Sequence, residues 1–247
     1  MKILVFDTET TGLPERNSSI YDEQKWPHIL QLSYILFDMD SNVLLTHKND
    51  YVAILSTVEI SEQSTKIHNI SRETCNQLGK PIQQVLNEFN ICLQKADLIV
   101  GHNISFDKRM IFVECHRNKI PQYFTHYECG NKIQKPEYCT MKKSVELCKL
   151  SYKTKLPEIQ PMDFGPMDVD PGVIEPPPDE TKITKIRYKY PTLHELYFTL
   201  FNLTPQNLHN AMVDILITLR CYVKIMTTVD VCTINAETRD LFVQYGI

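Results

Sequence analysis

The chain has 247 residues, 43% hydrophobic and 23% charged, which suits a soluble globular protein with a sizeable core. Its N-terminal apolar run is too short for a secretory signal, and no stretch approaches the length of a membrane span; the sequence therefore predicts an intracellular protein, cytoplasmic or nuclear, without a membrane partner. A net charge of −4 gives no global pull toward nucleic acid, so any polyanion must be met by local patches or bound cations.

Residues 2–6, Lys-Ile-Leu-Val-Phe, read as a buried strand that stops at an acidic pair. The stretch continues Asp7-Thr8-Glu9-Thr10-Thr11-Gly12-Leu13. Alternation along a strand puts Asp7 and Glu9 on one side and Thr8 and Thr10 on the other. Two carboxylates converging at a strand end repel each other unless a proton or a cation lies between them, and a hard divalent cation is the natural guest. Gly12 then allows a tight turn and a close approach to a ligand. Taken alone, this is also how an ordinary strand ending in a polar turn would look.

Residues 28–37 form a second buried strand, 40–42 a turn, and 43–55 a returning antiparallel strand. Ser71 is placed to cap a short helix. Residues 81–95 carry Ile82, Val85, Leu86, Phe89 and Leu93 on one helical stripe behind an initial proline. The short apolar run 96–101 follows that crossover and is therefore expected to lie parallel to the first strand. Its end reads Gly101-His102-Asn103-Ile104-Ser105-Phe106-Asp107. A helix begins there, with Ser105 as its expected cap, Phe106, Met110 and Val113 inward, and Asp107 in its first turn. Asp107 either complements the helix dipole or joins a ligand site at the strand ends. A further strand over 138–141 and a helix to residue 150 complete this half.

The eight cysteines include no closely spaced pair. Cys115, His116, His126, Glu128, Cys129 and Cys139 have metal-ligand chemistry, but their spacing is irregular, and free buried thiols are the favoured reading. Residues 151–190 hold seven of the fourteen prolines together with clustered acids, which predicts an irregular insertion. It ends in a basic and aromatic run, 182–190, of a composition that grips single-stranded nucleic acid or simply lines a solvated rim. A short helix spans 193–201. Asn210 caps the next, with His209 just before it and Asp214 one turn inside, and a final helix begins near Asn235.

Three segments thus stand in order: Phe6-Asp7-Thr8-Glu9-Thr10-Thr11-Gly12, Gly101-His102-Asn103-Ile104-Ser105-Phe106-Asp107, and His209-Asn210-Ala211-Met212-Val213-Asp214. Together they resemble the three motifs of the DEDDh 3′→5′ exonucleases, the superfamily of polymerase proofreading subunits. Ile67-His68-Asn69-Ile70-Ser71 resembles a softer feature between the first two. The histidine five residues before Asp214 looks like the histidine branch rather than the tyrosine branch. The resemblance implies an α/β ribonuclease H-like fold with a mixed five-stranded sheet flanked by helices. It implies one exonuclease domain over residues 1–247, interrupted by the insertion at about 151–190.

The implied reaction releases nucleoside 5′-monophosphates from nucleic acid, DNA favoured, with two Mg²⁺ or Mn²⁺ ions clamping the attacking and leaving oxygens. The resemblance makes Asp7 the bridging ligand. It puts Glu9 and Asp214 on the metal that holds the attacking water, Asp107 on the second metal, and His209 in the role of general base. It implies that Thr8, Thr10, Thr11, Gly12 and Leu13 seat the 3′-terminal nucleotide with Asn103 and Phe106, Leu13 acting as an apolar wedge. His102 is divided between that pocket and a structural role. The implied partners are a nucleic acid with a free 3′ end, single-stranded by preference, and a DNA polymerase, with proofreading or DNA repair as the setting. The alternatives are an RNA or oligoribonucleotide exonuclease and a non-catalytic polymerase-accessory module. A haloacid-dehalogenase-like phosphatase also opens on a strand with an acidic pair, but its second acid is normally Asp and no later motif set is found here.

Overall fold

A computed structural model describes residues 1–151 and 188–247. Side chains of the first strand, β1 (Lys2–Thr10), alternate between two apolar layers: Leu4 and Phe6 enter one, Ile3 and Val5 the other. A strand buried on both faces belongs at the middle of a sheet. β2 (Ile29–Asp38) runs antiparallel beside it from Lys2↔Asp38 to Thr10↔Ile29. β3 (Val43–Tyr51) returns along β2 after a turn at Asn42, whose φ is 55°. This third strand is shorter than the expected 43–55. Val52 still donates its N–H to the Leu30 carbonyl of β2 but also bridges Lys80, and the Ala53 N–H donates to the Lys80 carbonyl, so the chain leaves β2 after Val52.

α1 (Glu62–His68) and α2 (Arg72–Leu78) are capped by Ser61 and Ser71, whose side chains accept from the Ser64 and Thr74 N–H groups. α3 (Ile82–Lys95) lays Val85, Leu86, Phe89 and Leu93 against the sheet. The Phe89 ring meets Phe6 edge-on at 5.2 Å and Tyr34 at 5.5 Å; truncating it to Ala would cost ~3–5 kcal/mol. The crossover leads to β4 (Leu98–Gly101), parallel to β1 as expected.

α4 (Ser105–Arg117) starts without the expected side-chain cap: Ile104 occupies the capping position, and Ser105 is already helical. The turn is made instead by Asn103, at a φ of 66°, whose carbonyl accepts the Phe106 N–H. A hairpin of β5 (Thr125–Glu128) and β6 (Asn131–Gln134) was not expected; its short strands are mostly polar and lack a clean alternation. β7 (Glu137–Cys139) joins β4 in parallel and completes the sheet order β3-β2-β1-β4-β7. Two one-turn helices, α5 (Thr140–Lys143) and α6 (Val145–Cys148), replace the single helix expected to residue 150. They break at Ser144, whose hydroxyl donates back to the Thr140 carbonyl at 2.7 Å.

The expected insertion at 151–190, with most of its basic run, lies outside the described residues. At its borders Ser151 bridges Tyr188, and the Lys189 N–H donates to the Leu150 carbonyl. α7 (Leu193–Phe201) begins with a reciprocal Thr192–Glu195 capping box. α8 (Ala211–Thr227) is capped by Asn210 and packs Met212, Ile215, Leu216 and Leu219 on the Ile3 and Val5 face of β1. α9 (Val231–Ile234) and α10 (Ala236–Gln244) follow it. The result is the expected α/β architecture, a mixed five-stranded sheet with helices on both faces. No helix among the described residues is long and apolar enough to cross a membrane.

Candidate active site

β1 does not stop at Phe6. Its pairing with β4 ends at Val5↔Val100, but its pairing with β2 runs on to Thr10. Residues 7–10 therefore stay extended with one flank free of a strand neighbour. Asp7 and Glu9 project on the Ile3 and Val5 side, the side that α8 covers. Asp214, in the first turn of α8, meets them there: one ligand oxygen from each of Asp7, Glu9 and Asp214 lies within 4.8 Å of the others. Asp214 Oδ2 accepts the His209 N–H at 3.2 Å, while Oδ1 is buried with no partner.

Asp107 arrives from the opposite layer. The Thr8 N–H at 3.0 Å and the Thr8 hydroxyl at 2.8 Å both donate to its Oδ1. Among the described residues none of these four acids forms an ion pair. Burial, then repulsion from Asp107, Asp214 and Glu9, holds the Asp7 carboxyl well above the usual carboxylate range. Burial likewise pushes Glu9 up to about 9, and Asp107 and Asp214 to about 7. Oxygen donors, unrelieved like charge and one orphaned buried oxygen fit a hard divalent cation.

Beside the acids lies a cleft of about 460 Å³, lined by Thr8, Glu9, Thr10, Gly12, Leu13, Phe106 and the α1 segment from Ser61 to His68. Its floor is fixed. The Thr10 hydroxyl donates to the Gly12 carbonyl at 2.7 Å, and the Ser61 N–H donates to the Thr11 carbonyl at 2.9 Å. His68 Nδ1 accepts the Ile70 N–H at 3.0 Å, so its Nε2–H donates to the Thr10 carbonyl at 3.2 Å. Burial holds the His68 imidazole below its ordinary value, which keeps it neutral in this role. Leu13 stands 81% exposed at the rim.

A family model described as an exonuclease (RNase T) matches residues 4–160. The chain belongs to the exonuclease family. Its fold is ribonuclease H-like. The exonuclease resembles Escherichia coli exonuclease I in complex with a dT13 oligonucleotide, with a TM-score of 0.59 and 16% identity over 90% of this chain and 41% of that one. The zinc-bound form of the E. coli exonuclease I complex with single-stranded DNA gives 0.57 and 15%, over 92% and 41%. A product-bound exonuclease I structure gives 0.58 and 14%, over 91% and 43%. The chain spans about two fifths of the length of these proteins, and at such identities the likeness is one of fold. A search of curated protein sequences gives no significant match.

The family match includes Asp7, Glu9 and Asp107 but ends before His209 and Asp214; the fold brings the exonuclease's late motif to the early one. His209 precedes α8 at a φ of 67°, exposed, and lines a neighbouring groove with Tyr51, His68 and Asn210 rather than the cleft beside Glu9. Several expected binding residues sit elsewhere. The Thr11 side chain is buried away from the cleft, its hydroxyl accepting the His28 N–H at 2.9 Å. Gly12 has no left-handed φ, and a Cβ there would meet nothing nearer than Ser61 Oγ at 3.9 Å, so neither backbone nor protein neighbours demand the glycine. Gly101 is the more tightly packed of the two motif glycines: a Cβ would come within 3.0 Å of the Ile104 side chain.

His102 has no free ring nitrogen. Its Nε2–H donates to the Pro191 carbonyl at 3.1 Å and its Nδ1 accepts from the Thr140 hydroxyl at 3.0 Å, with burial pushing its pKa down to about 4. It ties the β4 end to the start of the second described segment. Asn103 makes the turn before α4 and is not part of the cleft lining. The zinc-type cluster of cysteines and histidines does not assemble: among the described residues the metal-capable group is Asp7, Glu9 and Asp214, and the cysteines are free thiols.

Two supporting residues emerge only from the fold. His68 lies in the segment between the first two motifs, and the structure puts it under Thr10. Gln31, fully buried opposite Glu9 in the ladder, donates to Asn49 Oδ1 at 2.7 Å and accepts the Ala211 N–H at 3.3 Å. It therefore positions the start of α8. The sequence signal is a long amide inside a mostly apolar strand.

Proposed function

We propose that this exonuclease, as one catalytic domain, removes nucleoside 5′-monophosphates from the 3′ end of nucleic acid, with single-stranded DNA as the favoured substrate. The observation that carries this reading is the convergence of Asp7, Glu9 and Asp214, from opposite ends of the chain, beside a cleft with one buried oxygen unpartnered. Asp7, Glu9, Asp107 and Asp214 would hold two Mg²⁺ or Mn²⁺ ions. Bound there, such ions stabilise charge on the attacking and leaving oxygens. DNA is favoured because the E. coli exonuclease I structures of the same fold hold single-stranded DNA.

The chain's own groups supply the rest. Thr8 holds Asp107 by two hydrogen bonds and so aims its free oxygen. The Thr10–Leu13 turn, bolted down by His68 and Ser61, seats the terminal nucleotide, with Phe106 and the exposed Leu13 offering apolar surface to its base. His209 takes the proton of the attacking water at its imidazole, an ordinary task for a histidine near neutral pH. Its exposed ring is free to turn toward the acids once substrate is present. Delivery of the 3′ end by a DNA polymerase is the partner arrangement that the motif resemblance to proofreading subunits suggests, and co-elution in gel filtration tests it.

The deciding experiment supplies end-labelled DNA and RNA, single- and double-stranded, with Mg²⁺ or Mn²⁺. Stepwise shortening of 5′-labelled single-stranded DNA, with release of 5′-monophosphates, is expected. Faster digestion of RNA reassigns the substrate, and no digestion of any 3′ end overturns the reading.

A further inference from the structure

A second groove lies next to the first along α4. Its walls are the outer face of α4 with Lys108, Arg109 and Phe112, the unexpected β5–β6 hairpin with Lys132, and the loop carrying Tyr21. The same two segments join the clefts: Leu13 and Tyr21 belong to one loop, and Arg109 lies one turn after Phe106 on one helix. Tyr21 is 65% exposed and packs edge-on against Phe112 with ring centres 5.8 Å apart. Lys108 pairs with Glu137, and Lys135 donates to the Ala96 carbonyl at 2.7 Å. Arg109 and Lys132 are exposed and form no ion pair among the described residues. In a chain of net charge −4, these unpaired cations beside an exposed aromatic ring make a local surface complementary to a polyanion with stackable bases.

We propose that this groove is a single-strand track that grips the nucleotides upstream of the 3′ terminus, Arg109 and Lys132 on phosphates and Tyr21 beneath a base. The proposal rests on the exonuclease reading, which places the 3′ end in the neighbouring cleft. From Phe106 to Phe112 is about 9 Å along the helix. A stacked strand advances ~3.4 Å per nucleotide, so the track begins at about the third nucleotide. A dinucleotide would fill the cleft without touching the track.

The test compares the full-length protein with Arg109→Ala/Lys132→Ala and with a control pair on the α8 and α10 side, Lys224→Ala/Arg239→Ala. KM and kcat are measured on dT2 and dT12, with dT12 binding to Asp7→Asn versions followed by fluorescence anisotropy against salt. The track predicts that the first pair weakens dT12 binding about tenfold, raises KM for dT12 alike and leaves dT2 hydrolysis unchanged. It also predicts a salt slope shallower by ~1.4, two phosphate contacts at 0.7 each. Tyr21→Ala should lower dT12 affinity without changing that slope. Equal dT12 affinity in the Arg109/Lys132 variant and wild type, or the same loss in the control pair, overturns the track while leaving the exonuclease intact. A wild type that hydrolyses neither dT2 nor dT12 overturns the exonuclease reading and the track with it.

Discussion

The acids on β1 and the histidine before α8 are built in opposite ways. Asp7 and Glu9 belong to a strand sealed into both layers of the core, and the loop that follows is pinned by His28, Ser61 and His68. His209 sits at a left-handed φ of 67°, exposed, tied to the site only by its backbone N–H to Asp214. That conformation costs a non-glycine residue ~1–2 kcal/mol, though histidine adopts it more readily than most. In the proposed mechanism the cation ligands are placed before substrate arrives, because Asp7, Glu9 and Asp214 converge with no ion pair to relieve them. A proton acceptor gains from being placed late, since a ring already wedged among the acids would block the attacking water. On the proposed roles, preorganisation falls to the strand and adjustment to the loop.

Asp7→Asn is the largest test of the rigid half. Hydrolysis should fall by at least ~10³-fold, about 4 kcal/mol of transition-state stabilisation. The metal-free variant should nevertheless melt higher than metal-free wild type, because one repelling carboxylate is gone. A lower melting temperature would mean that Asp7 holds the fold instead of the ions. His209→Ala should lower kcat by ~10²-fold, at the low end for a general base, while Mg²⁺ still raises the melting temperature as in wild type. Loss of that thermal shift would make His209 part of the ion site and remove the contrast between strand and loop.

The acids also predict an unusual pH profile. Folding raises the carboxyls above their unfolded values of 3.8 and 4.5, so the folded protein binds those protons more tightly than the unfolded chain. In EDTA the stabilisation is therefore fully present below about pH 4 and is lost as pH rises through about 7, for Asp107 and Asp214, toward about 9 for Glu9. Each ion at a hundred times its Kd should restore ~2.7 kcal/mol, or roughly 5–10 °C, with the largest gain at high pH. Calorimetry from pH 5 to 9, with and without Mg²⁺, measures this. An EDTA profile that stays flat across that range would show that the acids are solvated and not crowded.

The same contrast governs what the sequence disclosed. The strand half was legible because burial imposes period and composition: 2–6, 28–37 and the 81–95 stripe announce the sheet and its crossover. Asp7, Glu9, Asp107 and Asp214 were legible as motif residues, and the long-range contact that unites the first and last of them follows once α8 is laid on β1. The continuation of β1 to Thr10 was not legible, because it depends on β2 outlasting β4 as a neighbour. Thr11 and His102 look like site residues in a motif string. Only the hydrogen bonds of Thr11 to His28, and of His102 to Pro191 and Thr140, show them facing inward. The β5–β6 hairpin was hidden because its strands are short and polar.

Gln31 joins the two halves and offers the subtlest test. Its carbonyl accepts the first N–H of α8, its amide donates to Asn49, and it lies opposite Glu9. Gln31→Met keeps most of the volume but leaves the Ala211 N–H and Asn49 Oδ1 short of a partner, although Ser33 still donates to Asn49 at 2.7 Å. A loss of ~1–3 kcal/mol in stability is expected. Because Asp214 and His209 both ride on the start of α8, kcat should fall a few-fold with KM unchanged, and Mg²⁺ should bind more weakly. If stability drops while kcat and Mg²⁺ affinity hold, α8 is positioned by its apolar packing on Ile3 and Val5 alone, and the strand half orients the helix without Gln31.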